Sequence, residues 1–125
     1  MTLTHTDARP LVVTSDASLL DDLLRLCAAA GVTPEVAADA AQARRSWSTA
    51  SCVVVGGDDL APLIGTVDRR DGVVITAVGP ADTELWARAV ELGAEGVYLL
   101  PDDESPVVEL LAASSERADH DAAVV

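Results

Sequence analysis

Apolar residues along the chain fall into two alternating patterns. Short unbroken apolar runs of strand length occupy 11–14, 52–55, 73–78 and 96–100, while the longer segments between them repeat their apolar residues at helical spacing. Over 18–30, Leu19, Leu20, Leu23, Leu24, Leu26 and Cys27 recur at that spacing, and Gly31 follows as a left-handed cap. A weaker strand is expected over 33–37. Asp39 then caps a helix running to about residue 48 through Ala40, Ala41, Ala43 and Trp47, with Trp47 filling core volume beside small alanines. Residues 58–65 have room only for a short helix before the turn Asp68-Arg69-Arg70-Asp71-Gly72. Gly79-Pro80 is expected to open a helix over 81–92, with Leu85, Ala89 and Leu92 on its apolar side and Gly93 closing it. Ser105-Pro106 starts a last helix through Val107, Val108, Leu110, Leu111 and Ala112.

Five short β-branched strands alternating with five helices specify an α/β domain, a parallel sheet with helices on both faces. Right-handed crossovers give the strand order 2-1-3-4-5, and a ligand would sit at the carboxyl ends of strands 1 and 3, where the order reverses. At 125 residues the chain is one domain, long enough to bury roughly two-thirds of its unfolded surface without metal or disulfide staples.

Charge narrows the partners. There are 21 acidic residues against 8 basic ones, all arginine, so phosphate backbones and anionic lipid surfaces are repelled; no nucleic acid and no direct membrane contact are expected. The pairs Arg44-Arg45 and Arg69-Arg70 are read as too few to steer a polyanion. Without lysine, no phosphate loop of the Walker type and no lysine-dependent chemistry is possible. Cys27 and Cys52 lie in apolar segments without ligand spacing and read as buried reduced thiols. No run resembles a signal peptide or approaches the roughly 18 apolar residues of a membrane span, which points to the cytoplasm.

The crevice at the strand ends carries Asp16, Asp58 and Asp59. Three carboxylates suit a hard cation, but Asp16 and Asp58 both precede helices, where capping free N–H groups is the favoured role. Neither histidine, His5 or His120, approaches the crevice in sequence, so no nucleophile–base pair forms. Gly56-Gly57 followed by two aspartates repels a phosphate. No catalytic residue, metal or cofactor is expected.

Two stretches then carry a likeness. Leu11 to Leu20, LVVTSDASLL, resembles the opening of the receiver domain of two-component signalling, and Gly93 to Pro101, GAEGVYLLP, resembles the ending of its fifth strand. The resemblance covers residues 10–115 and implies a receiver-like, flavodoxin-like fold. It also implies where the working residues should stand. The metal-holding acidic pair falls on Thr14 and Ser15, with Asp16 one place late; the phosphoacceptor falls on Gly56, the switch hydroxyl on Val78, the phosphate-contacting lysine on Leu100 and the switch aromatic on Val97. All of these chemical positions are lost, and Val78 with Leu100 is expected to make the crevice apolar. Asp58 or Asp59 is left as a displaced acceptor at most.

Degenerate receivers of this kind resemble the amino-terminal domain of pilus-assembly and cell-division ATPases of the CpaE/TadZ type. Within them, the stretches 9–31 and 89–101 resemble the septum-site-determining proteins of actinobacteria, in which such a domain precedes a MinD/ParA-like ATPase. The resemblance implies a disordered segment 1–8, a receiver-like domain 9–116, and 117–125 as a linker and the first strand of a following ATPase domain. It implies a regulatory module with a protein partner or a homodimer, acting without phosphorylation at the septum or pole. The expected contact face is the helix 81–92 with strand 5 and the last helix, where Trp86 and Val90 project away from the core beside Tyr98. The alternatives are phosphorylation at Asp58 or Asp59 and a small-molecule sensor in the crevice.

Overall fold

The computed structural model describes the backbone of residues 8–124 and the side chains of residues 8–116. Five strands, β1 (Leu11–Val13), β2 (Glu35–Ala37), β3 (Val53–Gly56), β4 (Val73–Val78) and β5 (Gly96–Leu100), alternate with five helices, α1 (Ala17–Ala30), α2 (Ala40–Ser46), α3 (Leu60–Leu63), α4 (Thr83–Leu92) and α5 (Glu104–Val124). A 3-10 turn, Gly57–Asp59, leads into α3. All strand pairs are parallel, in the order β2-β1-β3-β4-β5 that the sequence pattern predicts.

The sheet is buried from both sides, which is why its strands read as continuous valine runs rather than as alternating ones. Leu11, Val13, Val53, Val55, Val73 and Ile75 face α2, α3 and α4, packing with Ala43, Trp47, Leu60, Leu63, Ala89 and Leu92. Val12, Val54, Val74 and Leu100 face α1 and α5, packing with Leu19, Leu23, Leu26, Cys27, Val107 and Leu111. Each fully buried leucine or isoleucine here contributes about 1.5–3 kcal/mol. Burial pushes the Cys27 thiol up to about 11, helped by neighbouring Cys52.

Local chemistry sets the helix ends. Asp39 accepts from the Gln42 N–H at 2.8 Å, and α1 ends on Gly31 in the left-handed region, φ 75°. Helix α4 begins at Thr83, two residues later than its sequence pattern suggests, because the carboxylate of Asp82 accepts from the Leu85 N–H at 2.8 Å and leaves Gly79-Pro80 in the loop. Helix α5 corrects the reading of the tail. Its backbone is helical to Val124, so residues 117–121 are not an extended linker and 122–124 are not a strand; after Pro106 no proline or glycine interrupts an alanine- and glutamate-containing run. Segment 1–7 and the side chain of His120 lie outside the described residues.

Candidate functional site

The carboxyl end of the sheet is assembled by register. Val13 pairs with Val55, Gly56 with Thr76, and Thr76 with Tyr98, which places Thr14, Gly56, Thr76 and Tyr98 in one row on the α1/α5 face. Gly56 is the gap in that row, and little room is left in it. A Cβ on Gly56 would stand 3.0 Å from both Thr14 Oγ1 and Leu19 Cδ2, so even alanine forces a neighbour to move. The Thr76 hydroxyl on the other side is 0% exposed and has no hydrogen-bond partner among the described residues.

The crevice acids are committed differently from one another. Asp16 caps α1, its Oδ1 accepting from the Ser18 N–H at 2.9 Å and the Leu19 N–H at 3.2 Å, while its own N–H donates to Thr14 Oγ1 at 3.1 Å. Asp59 is a clamp rather than a helix cap: it accepts from the Ser15 N–H at 3.0 Å and the Ser15 hydroxyl at 2.8 Å, tying the β1 exit to the β3 exit. Asp58 was expected to cap the following helix. It makes no side-chain cap there and lines a cavity of about 140 Å³ with Asp16, Leu19, Gly57, Ala77 and Val78.

Val78 and Leu100 pair across β4 and β5 but do not together line the crevice. Both side chains are on the α1/α5 face, but Val78 is 65% exposed at the crevice rim, whereas Leu100 is buried with Val107 and Leu111 of α5. The donor set does not fit the magnesium ion of a working receiver. The Thr14 hydroxyl already serves the Asp16 N–H, Ser15 is held by Asp59, and no strand-end carboxylate stands at Gly56; among the described residues no three acids, histidines or cysteines gather as metal ligands.

Beside the crevice, α4 turns Leu85, Ala89 and Leu92 inward and leaves Trp86 49% and Val90 71% exposed, one helical turn apart. Tyr98 lies on the other side of edge strand β5, half-buried against the α1/α5 layer in a cavity of about 410 Å³ with Cys52, Glu95, Pro106 and Leu110. Arg25 of α1 ties down α5 through Glu104, Nη2 to Oε2 at 2.7 Å; the bonded guanidinium lowers the Glu104 carboxyl below its ordinary range. The fold brings Arg44, Arg69 and Arg70 to one cleft at the opposite end of the sheet, which their separation along the chain conceals.

Strand order, the crossovers and the acid-bearing strand exits together define the class: a CheY-like receiver fold. The chain belongs to the Rv3660c-like, CheY-like N-terminal domain family, which matches residues 13–122. It is 32% identical over 111 residues to Rv3660c of Mycobacterium tuberculosis H37Rv, a match covering 86% of this chain and 31% of that protein, so the chain spans under a third of the relative's length. Among solved structures it is similar to the signal receiver domain of an HD domain-containing protein from Pseudomonas fluorescens Pf-5, with TM-score 0.65 and 19% identity, covering 100% of this chain and 98% of that one. It is also similar to a putative pilus assembly protein, CpaE, from Burkholderia thailandensis E264, with TM-score 0.57 and 22% identity, covering 87% and 98%. Among the described residues no helix is long and apolar enough to cross a membrane.

Proposed function

We propose that residues 9–116 form a non-catalytic pseudo-receiver that regulates a septum-site-determining or pilus-assembly ATPase of the CpaE/TadZ type through protein contacts, without phosphoryl transfer. The observation that carries this reading is the acceptor position: Gly56 bears no carboxylate, and a side chain there would press on Thr14 and Leu19 from its first carbon, at 3.0 Å. Without that carboxylate no acyl phosphate forms, and without a cation nothing offsets the incoming charge. What the fold retains is surface. Trp86 and Val90 stand exposed on α4 beside edge strand β5, and a large aromatic in that setting is a natural anchor for a second copy or a docking protein. The length of Rv3660c beyond the matched region leaves room for the MinD/ParA-like ATPase that the module would control, in the cytoplasm and recruited to septum or pole.

Sedimentation equilibrium tests this. Self-association is expected, weakened at least about tenfold by Trp86→Ala (roughly 1.4 kcal/mol) and indifferent to acetyl phosphate with magnesium. Association that strengthens on adding acetyl phosphate contradicts the reading. One observation favours a second reading: Asp58 makes no hydrogen bond or ion pair among the described residues, and would be the acceptor if phosphorylation were retained.

A further inference from the structure

At the amino ends of β3 and β4, away from the receiver crevice, a cleft of about 460 Å³ is lined by Arg44, Trp47, Ser48, Thr66, Asp68, Arg69 and Arg70 with Val67 and Asp71. That volume lies within the range of small-molecule sites. Its charge departs from the rest of the molecule. The lining carries three arginines against two aspartates in a chain of net charge -13, and Arg45 follows Arg44 directly.

The arginines here are held differently from those elsewhere. Arg9, Arg25 and Arg88 each pair with a carboxylate, whereas Arg44, Arg45, Arg69 and Arg70 form no ion pair among the described residues. Two of them are fixed by backbone carbonyls, which orient a guanidinium without neutralising it. Arg70 donates through Nε to the Asp71 carbonyl at 2.8 Å and through Nη1 to the Trp47 carbonyl at the end of α2. Arg69 donates through Nη1 to the Glu91 carbonyl at 3.3 Å, at the end of α4. Its guanidinium lies 3.0–3.2 Å from where a Cβ on Gly93 would stand, so glycine at that position leaves the arginine its room. One wall is fixed as well, by the Trp47 indole N–H donating to the Asp68 carbonyl at 2.7 Å.

We propose that this cleft binds a small phosphate-bearing ligand. Preoriented guanidinium forks with spare N–H donors match phosphate oxygens, and the exposed hydroxyl of Ser48 adds a donor for a third oxygen that a carboxylate lacks, whereas the Thr66 hydroxyl already donates to the Pro62 carbonyl at 2.8 Å. The chain's overall charge selects against long polyanions, so the ligand is a small one.

The test is an NMR titration of the whole chain at constant ionic strength, following the Trp47 indole N–H, with inorganic pyrophosphate, AMP, succinate and an oligo-glutamate peptide as probes. Pyrophosphate or AMP is expected to give a saturable shift with a dissociation constant below about 1 mM, with succinate at least about tenfold weaker. Arg44→Ala, which removes no hydrogen bond among the described residues, is expected to weaken the phosphate probes at least about tenfold with circular dichroism unchanged. Arg69→Ala serves as the second variant. The proposal fails if no saturable shift appears up to about 10 mM, if succinate or the peptide binds as tightly as pyrophosphate, or if both variants keep wild-type affinity.

Discussion

The two ends of the sheet carry charge in opposite ways. At the carboxyl end, where a receiver does its chemistry, Asp16 is spent on two helix N–H groups, Asp59 on Ser15 and Asp82 on the start of α4, and the acceptor gap is narrowed by Thr14 and Leu19. At the amino end, guanidinium groups are held by carbonyls and keep their charge. Counting acids in the crevice therefore misleads. What decides whether a charged group is available for chemistry is the partner it already has, and by that measure Asp16, Asp59 and Asp82 are committed while Asp58 is the crevice acid left available among the described residues.

The sharpest way to break this contrast is to restore the missing carboxylate. Gly56→Asp pushes a side chain into Thr14 and Leu19 and buries an acid without a counter-charge, and is expected to destabilise the fold by about 3 kcal/mol or more in urea unfolding. A near-neutral result would mean that the acceptor position is open.

Cys27, in the core between the two ends, gives the next largest effect. Its thiol pKa is raised on folding, so the protonated form contributes stability that is complete below the unfolded value of about 9 and lost as pH rises towards about 11. Across that window the loss is on the order of 2–3 kcal/mol and is smaller in Cys27→Ala, and alkylation of Cys27 at pH 8 is slow until the protein unfolds. Rapid native alkylation contradicts this. Asp16→Ala loses one capping carboxylate and is expected to cost about 1 kcal/mol, measured by thermal or urea unfolding. Smallest of all, Arg44→Ala at the other end should change stability by no more than about 0.5 kcal/mol, because that side chain is exposed and caps nothing.

Most of the scaffold is legible in the sequence because burial on both faces leaves an unambiguous signature. Valine runs mark β3 and β4, and β4 and β5 fall on their expected residues. Ends set by a single side chain are harder to read: the start of α4 depends on where the Asp82 carboxylate points, and α5 persists through a polar stretch because nothing in it breaks a helix. At the site, residue identity alone shows that Gly56 bears no carboxylate. How little room remains depends on the register that sets Thr14 beside it, and that Leu100 is buried while its partner Val78 is exposed depends on α5 covering that end of β5. The arginine cleft is the least legible feature, since Arg44 and Arg69 meet only through the path of the loop between α3 and β4.

The central claim, a receiver fold kept without its phosphoryl chemistry, is tested most directly by the intact mass of the chain after incubation with acetyl phosphate and magnesium. The account predicts an unchanged mass. A stable gain of about 80 Da, the mass of one phosphoryl group, that disappears in Asp58→Ala or Asp59→Ala would contradict it.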